Sequence, residues 1–166
     1  MSRPKEFDRA EALAAAKAVF WRKGYDATTT DDLRHAMSIG RQSLYDSFGG
    51  KRPLYLEVLQ RYNTERVVGQ ITRLRAAKSP LAGIRNLLFA FADEPEEERK
   101  LGCMGVAAVC TFGDEDPEIT AIGHAASSVR DPPWRKFSVK PRKWGKQSHL
   151  WTSVLSPSSF SPPCWV

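Results

Sequence analysis

Arg41, Gln42, Ser43, Tyr45 and Asp46 crowd one short stretch with a guanidinium, an amide, two hydroxyls and a carboxylate, while Leu44 and Phe48 are apolar and four apart. That spacing puts Leu44 and Phe48 on one side of a helix and leaves the polar groups on or near the other. Such a face offers hydrogen bonds and ion pairs to a partner. Bond-making chemistry has no visible home elsewhere: no nucleophile stands beside a base, no carboxylates pair in an apolar setting, and no glycine loop suits a phosphate. His35, His124 and His149 are far apart, and with Cys103, Cys110 and Cys164 they give no metal-ligand spacing. An enzyme is the least expected reading, no metal or cofactor is expected, and the acidic cluster from Asp114 to Glu118 reads as a helix cap.

The elements that must hold this face can be read around it. Phe7 to Lys23 reads as an amphipathic helix with Leu13, Ala16 and Phe20 inward, ended by Gly24. Thr28, Thr29 and Thr30 before Asp31 and Asp32 supply a hydroxyl N-cap and two carboxylates for the first turn of a second helix. Leu33, Ala36 and Met37 are its buried side. Ser38, Ile39 and Gly40 break the chain, with Ile39 as the apolar plug, and the helix from Arg41 to Phe48 follows. Two short helices joined by a three-residue turn are the helix-turn-helix pattern, whose second helix enters the DNA major groove.

Gly49 and Gly50 stop that helix, and Pro53 suits the first turn of a long fourth one reaching about Arg75. Ser79 and Pro80 open another, with Leu81, Ile84, Leu87, Leu88 and Phe91 apolar. Asp93 to Lys100 reads as an acidic, solvated loop. Leu101 to Phe112, apolar and rich in Gly and Ala, reads as a central helix packed on several sides, and Asp116 with Pro117 opens a last helix through Val129. Cys103 and Cys110 are expected on one helix, too far apart for a disulfide; small buried residues are preferred to electrophile sensors.

Charge is divided along the chain. Residues 1–78 hold 15 Lys and Arg against 9 Asp and Glu, residues 79–131 hold 4 against 10, and residues 132–166 hold 6 against none. A basic front and an acidic middle suit a protein that meets phosphate at one end. With no apolar stretch of eighteen residues and no signal-peptide core after Met1, the expected compartment is the cytoplasm and no membrane partner is expected. Residues 132–166 carry six of the eleven prolines and four of the five tryptophans, which no helical stripe survives. Out-of-frame translation, a basic aromatic arm that grips nucleic acid, and a cloning scar or poorly ordered natural tail are the three origins that fit, the first being preferred.

The run TTDDLRHAMSIGRQSLYDSFGGKRPLYL, from Thr29 to Leu56, resembles the DNA-binding domain of the tetracycline-repressor (TetR) family of bacterial regulators. Its carriers are the capping threonines, Leu44 with Tyr45, Phe48, and Lys51 after the turn. The middle segment, with Gly102, Cys103 and GDEDPEI, looks like that family's ligand-binding half, so the resemblance covers residues 7 to about 129. It departs from the family pattern at Ser38, where a small residue or glycine is common, and at Gly49 and Gly50, where a polar cap is usual.

The resemblance implies an all-α fold: a helix-turn-helix domain over residues 1–50, a long helix leading into a helical ligand-binding and dimerisation domain over 51–130 that is incomplete, and an aberrant tail over 131–166. It implies base-edge or nearby phosphate contact by Arg41, Gln42 and Ser43, and phosphate contact by Tyr45, Lys51 and Thr30. Arg41 suits guanine and Gln42 adenine. An ordinary solvated face for residues 41–43, or simple packing of the Tyr45 ring, is the rival reading. Met104, Val106, Val109 and Phe112 are the candidate lining of an effector pocket. The implied function is a DNA-binding transcriptional repressor with a double-stranded operator and an apolar small-molecule effector as partners. A homodimer is implied too, unless an out-of-frame tail has removed its interface. The alternative is an all-helical protein-interaction module whose helix-turn-helix is only structural.

Overall fold

Side-chain caps and glycine corners set the helix boundaries of the front of the chain. The computed structural model describes residues 7–127, and among them it forms eight α-helices, one 3-10 turn and no strand. The helices are α1 (Arg9–Lys23), α2 (Thr30–Met37), α3 (Arg41–Phe48), α4 (Lys51–Ala76), α5 (Pro80–Ala92), α6 (Glu96–Leu101), α7 (Met104–Phe112) and α8 (Pro117–Ser127). Asp8 caps α1 by accepting from the amides of Ala10 and Glu11. Thr29 caps α2 in a reciprocal box with Asp32, each side chain accepting from the other's amide. Thr28, the first of the three threonines, is buried instead and donates its hydroxyl to the Gly24 carbonyl at 2.6 Å.

α4 is the central strut. α1, α5, α7 and α8 all pack on it, and α2 packs on α1. Phe20 of α1, Leu33 of α2, Leu44 of α3 and Leu54, Val58 and Leu59 of α4 are shut away from water, and Ile39 plugs the α2–α3 corner as expected. Burying each large side chain is worth about 1.5–3 kcal/mol, so this cluster dominates the stability of the front half. Ile119 of α8 is also fully buried, and Met104 and Ala108 are the buried residues of α7.

Pro53 is the third residue of α4, within its first turn as expected, since Gly50 is the N-cap and the helix starts at Lys51. Several other expectations need correction. Asp93 to Lys100 is not a loop throughout, since Glu96, Glu97 and Glu98 sit in the first turn of α6 and Arg99 and Lys100 in its last, both favourable to the helix dipole. Leu101 to Phe112 is not one helix: Gly102, at φ 68° and ψ −158°, breaks it, and α7 starts afresh at Met104. Nor is α7 covered all round, because Val106 is 61% and Val109 48% exposed. Cys103 is the half-buried cap residue of α7 and Cys110 lies exposed within it, so the pair are not small buried residues. Asp116 and Pro117 do open α8, with the Asp116 carboxylate accepting from the amides of Glu118 and Ile119 at 3.2 Å. The expectations for residues 128–166, the tail among them, lie outside the described residues. No helix among those described is long and apolar enough to cross a membrane.

Candidate nucleic-acid interface

α3 is anchored from beneath. Leu44 is fully buried and Phe48 nearly so, the Phe48 ring lying 6.1 Å from that of Phe7 with the Arg9 guanidinium 5.0 Å over it. Arg9 is in turn gripped by both oxygens of Glu57 on α4, at 2.5 and 2.7 Å. The chain enters α3 through Ser38, whose φ of 54° and ψ of 39° make it a left-handed corner without glycine, and leaves through Gly49 in the same region. Pinned at both ends and underneath, α3 has little freedom to roll.

Its outer face carries the side chains expected there. Arg41, Gln42 and Tyr45 are exposed and Ser43 is half-buried beside Gly40. The Gln42 side-chain amide donates to the Asp46 carboxylate at 2.8 Å, one turn further on. The Tyr45 ring lies beside Gly50, so close that a Cβ there would stand 3.3 Å from the ring. Lys51, which follows, turns its ammonium over the Tyr25 ring at 4.3 Å and toward the Asp26 carbonyl at 3.4 Å. That places its charge beside the loop leading into Thr30, the half-buried first residue of α2. The six residues thus occupy α3 and the two helix starts that flank it. Asp32, in the turn after Thr30, has its carboxylate held well below the usual range, chiefly by Lys23 at 2.7 Å and then by Thr29.

Two features escaped sequence reasoning. The bond between Gln42 and Asp46 was signalled by their separation of four. The role of Arg52 had no local signal: it reaches Asp116 at 2.5 Å and Glu118 at 3.3 Å, more than sixty residues away, with its guanidinium 5.3 Å over the Phe112 ring. Burial works against both charges as the largest single influence. The carboxylates still raise the Arg52 pKa, while the Ile119 amide and Arg52 keep that of Asp116 below its ordinary value.

Arg52 belongs to a seam between the helix-turn-helix and the later helices. The rings of Tyr25, Tyr55 and Phe112 meet in tilted and edge-on contacts with centroids within 6 Å of one another, Trp21 of α1 donates its indole N–H to the Gly102 carbonyl at 3.0 Å, and the Met104 amide donates to the buried Tyr62 hydroxyl at 3.3 Å. Burial, foremost, pushes Tyr55 and Tyr62 up to about 12. An open groove of about 580 Å³ adjoins the seam, with Lys17 and Trp21 of α1, Tyr62 and Arg66 of α4 and Phe91 of α5 among its walls. None of Met104, Val106, Val109 or Phe112 lines it: Met104 and Phe112 pack in the seam, and the two valines face outward.

Comparison with known proteins agrees with this geometry. Residues 12–58 match the model of the tetR family of bacterial regulatory proteins. The chain is 34% identical over 120 residues to the uncharacterized HTH-type transcriptional regulator YezE of Bacillus subtilis (strain 168), covering 72% of this chain and 62% of that protein. It is 45% identical over 60 residues to the HTH-type transcriptional repressor ComR of Escherichia coli (strain K12), covering 36% of this chain and 29% of ComR. Among solved structures, a cysteine mutant of the TetR family transcriptional regulator CifR, complexed with 26-bp double-strand operator DNA, superimposes with a TM-score of 0.58 at 33% identity, covering 77% of this chain and 66% of that one. The chain therefore spans less than two thirds of the length of the relatives that it matches. The buried underside of α3, the left-handed corner at Ser38 and the match over residues 12–58 together show that this segment is the N-terminal helix-turn-helix domain of the tetR family of bacterial regulatory proteins.

Proposed function

We propose that the chain is a DNA-binding transcriptional regulator, a repressor whose α3 lies in the major groove of a double-stranded operator. One observation carries this reading: the apolar side of α3 is sealed into the protein while Arg41, Gln42 and Tyr45 remain on the surface. In that reading Arg41, Gln42 and Ser43 meet base edges or nearby phosphates, and Thr30, Tyr45 and Lys51 hold the backbone. Residues 1–50 act as the reading head and the helices from residue 51 onward as the regulatory body. The protein works in the cytoplasm, as a homodimer whose two heads meet successive grooves about 34–36 Å apart, and no catalytic role is assigned.

A small molecule releases the operator by favouring a different set of the head against the body. The seam supports this, because α4, the Trp21–Gly102 hydrogen bond and the Tyr25–Phe112 ring contact tie the two together. The groove beside Trp21, Tyr62 and Phe91 is the better candidate for the effector than the surface of Val106 and Val109.

The test is duplex binding at several salt concentrations. Operator affinity should fall steeply with salt, and Lys51→Ala should make the slope shallower by about one phosphate contact. Affinity that is indifferent to salt, or unchanged by Arg41→Ala and Lys51→Ala together, would remove the reading in favour of an interaction module.

A further inference from the structure

Gln42 and Asp46 share the exposed side of α3, and the amide nitrogen of Gln42 donates to the Asp46 carboxylate at 2.8 Å. A free glutamine rotates about three bonds, and its terminal amide can present oxygen and nitrogen in either order. Asp46 removes that choice. An ionised carboxylate only accepts hydrogen bonds, so the NH2 end of Gln42 faces it and the carbonyl end faces away. One N–H and the carbonyl oxygen are left over, side by side and in a fixed order along the helix. In the major groove adenine presents an acceptor at N7 next to a donor at N6, the complement of that pair, whereas cytosine presents only its N4 donor and guanine two acceptors.

A helix-stabilising role is a poor account of Asp46. It lies in the last turn of α3, where a carboxylate opposes the helix dipole, and that turn holds no basic residue. The pair with Gln42 returns only a few tenths of a kcal/mol. On a surface that meets phosphates, a carboxylate also weakens binding to any duplex. Its presence suits selectivity.

We propose that Asp46 is a positioning residue that fixes the Gln42 amide for adenine, while its charge lowers affinity for duplex of any sequence so that the adenine contact counts for more. The inference rests on the reading that α3 lies on DNA.

The experiment selects duplexes from a randomised pool with the full chain and compares wild type with Gln42→Ala, Asp46→Ala and Asp46→Glu, each checked for its helical circular dichroism. Wild type should show an adenine preference of about tenfold or more at one position of each half-site, and Gln42→Ala should erase it. Asp46→Ala should cut that preference severalfold while affinity for random duplex rises. Asp46→Glu, still an acceptor, should restore most of the preference. A purely structural role would move the melting temperature and leave base preference alone. The same adenine preference in wild type and Asp46→Ala, with duplex binding intact, would overturn this inference and leave the proposed function standing. No duplex binding by wild type at low salt would overturn both.

Discussion

The front and the back of this molecule solve the same problem with different success. α1, α2, α3 and the first half of α4 turn their apolar side chains inward, so Phe20, Leu33, Leu44, Leu54 and Leu59 see almost no water. α5 has the more apolar sequence, yet Gly83 is its only buried residue, and Leu81 at 77%, Leu88 at 63% and Phe89 at 59% stand exposed. Burial follows neighbours, not composition. A short helix with two apolar residues four apart is held firmly when both are seated in a shared core, and a longer apolar helix is not when it touches one side of a strut. For the proposed regulator this division has sense: the reading head is the more tightly packed part, and the part that would take up a ligand has less that binds it together.

The sharpest way to break the comparison is to hollow the front. Phe48→Ala should cost about 3–5 kcal/mol by chemical denaturation and abolish operator binding, because α3 loses its footing. A loss below 1 kcal/mol would mean that the head is not the tighter half.

Next comes the seam. Arg52→Ala removes the partner of Asp116 and Glu118 and should lower the melting temperature at neutral pH by roughly 3 °C. The sign with pH follows from Asp116, whose pKa lies below its ordinary 3.8 in the folded chain. Its contribution is present above that value and is lost as pH falls through the lower, folded one. Wild type should therefore lose its advantage over Arg52→Ala on acidification below about pH 4, which melts at pH 7 and pH 3 would reveal. A constant difference would mean that Arg52 acts through Phe112 packing alone.

Ser38→Gly should have a smaller effect of opposite sign. A left-handed serine is strained, but glycine gives back part of the gain through its freer unfolded chain, so up to about 1 kcal/mol of stability should appear in denaturant melts. Smallest of all, Leu88→Gln on α5 should change stability by less than about 0.5 kcal/mol while reducing the binding of an apolar dye. A large loss of stability there would show that the α5 face is covered in solution.

Much of the head was legible because its signals are local. The hydroxyl N-cap before Asp31 and Asp32, the Ile39 plug and the inward pair Leu44 and Phe48 each follow from residues within one turn of each other, and all took their expected places. That Arg41, Gln42 and Tyr45 face out is legible for the same reason, since they lie opposite Leu44 and Phe48, whereas the contacts assigned to them, to Ser43, Thr30 and Lys51 come from the family resemblance. The body was less readable, since its contacts join distant segments. Nothing near Arg52 announces Asp116, and nothing near Trp21 announces Gly102. The break at Gly102 was missed because an apolar run on both sides looks like one helix, and the turn at Glu96 because acidic residues suit a helix start as well as a loop.

Gly50 imposes a constraint of its own. Its φ of 116° and ψ of −170° strain any other residue on backbone grounds, and the Tyr45 ring would have to shift to admit a side chain there. Two unrelated penalties at one codon cannot be relieved by one compensating change. Saturating that position and selecting for operator binding should return glycine, and the absence of a side chain there is as much a part of the proposed reading surface as any group assigned to DNA.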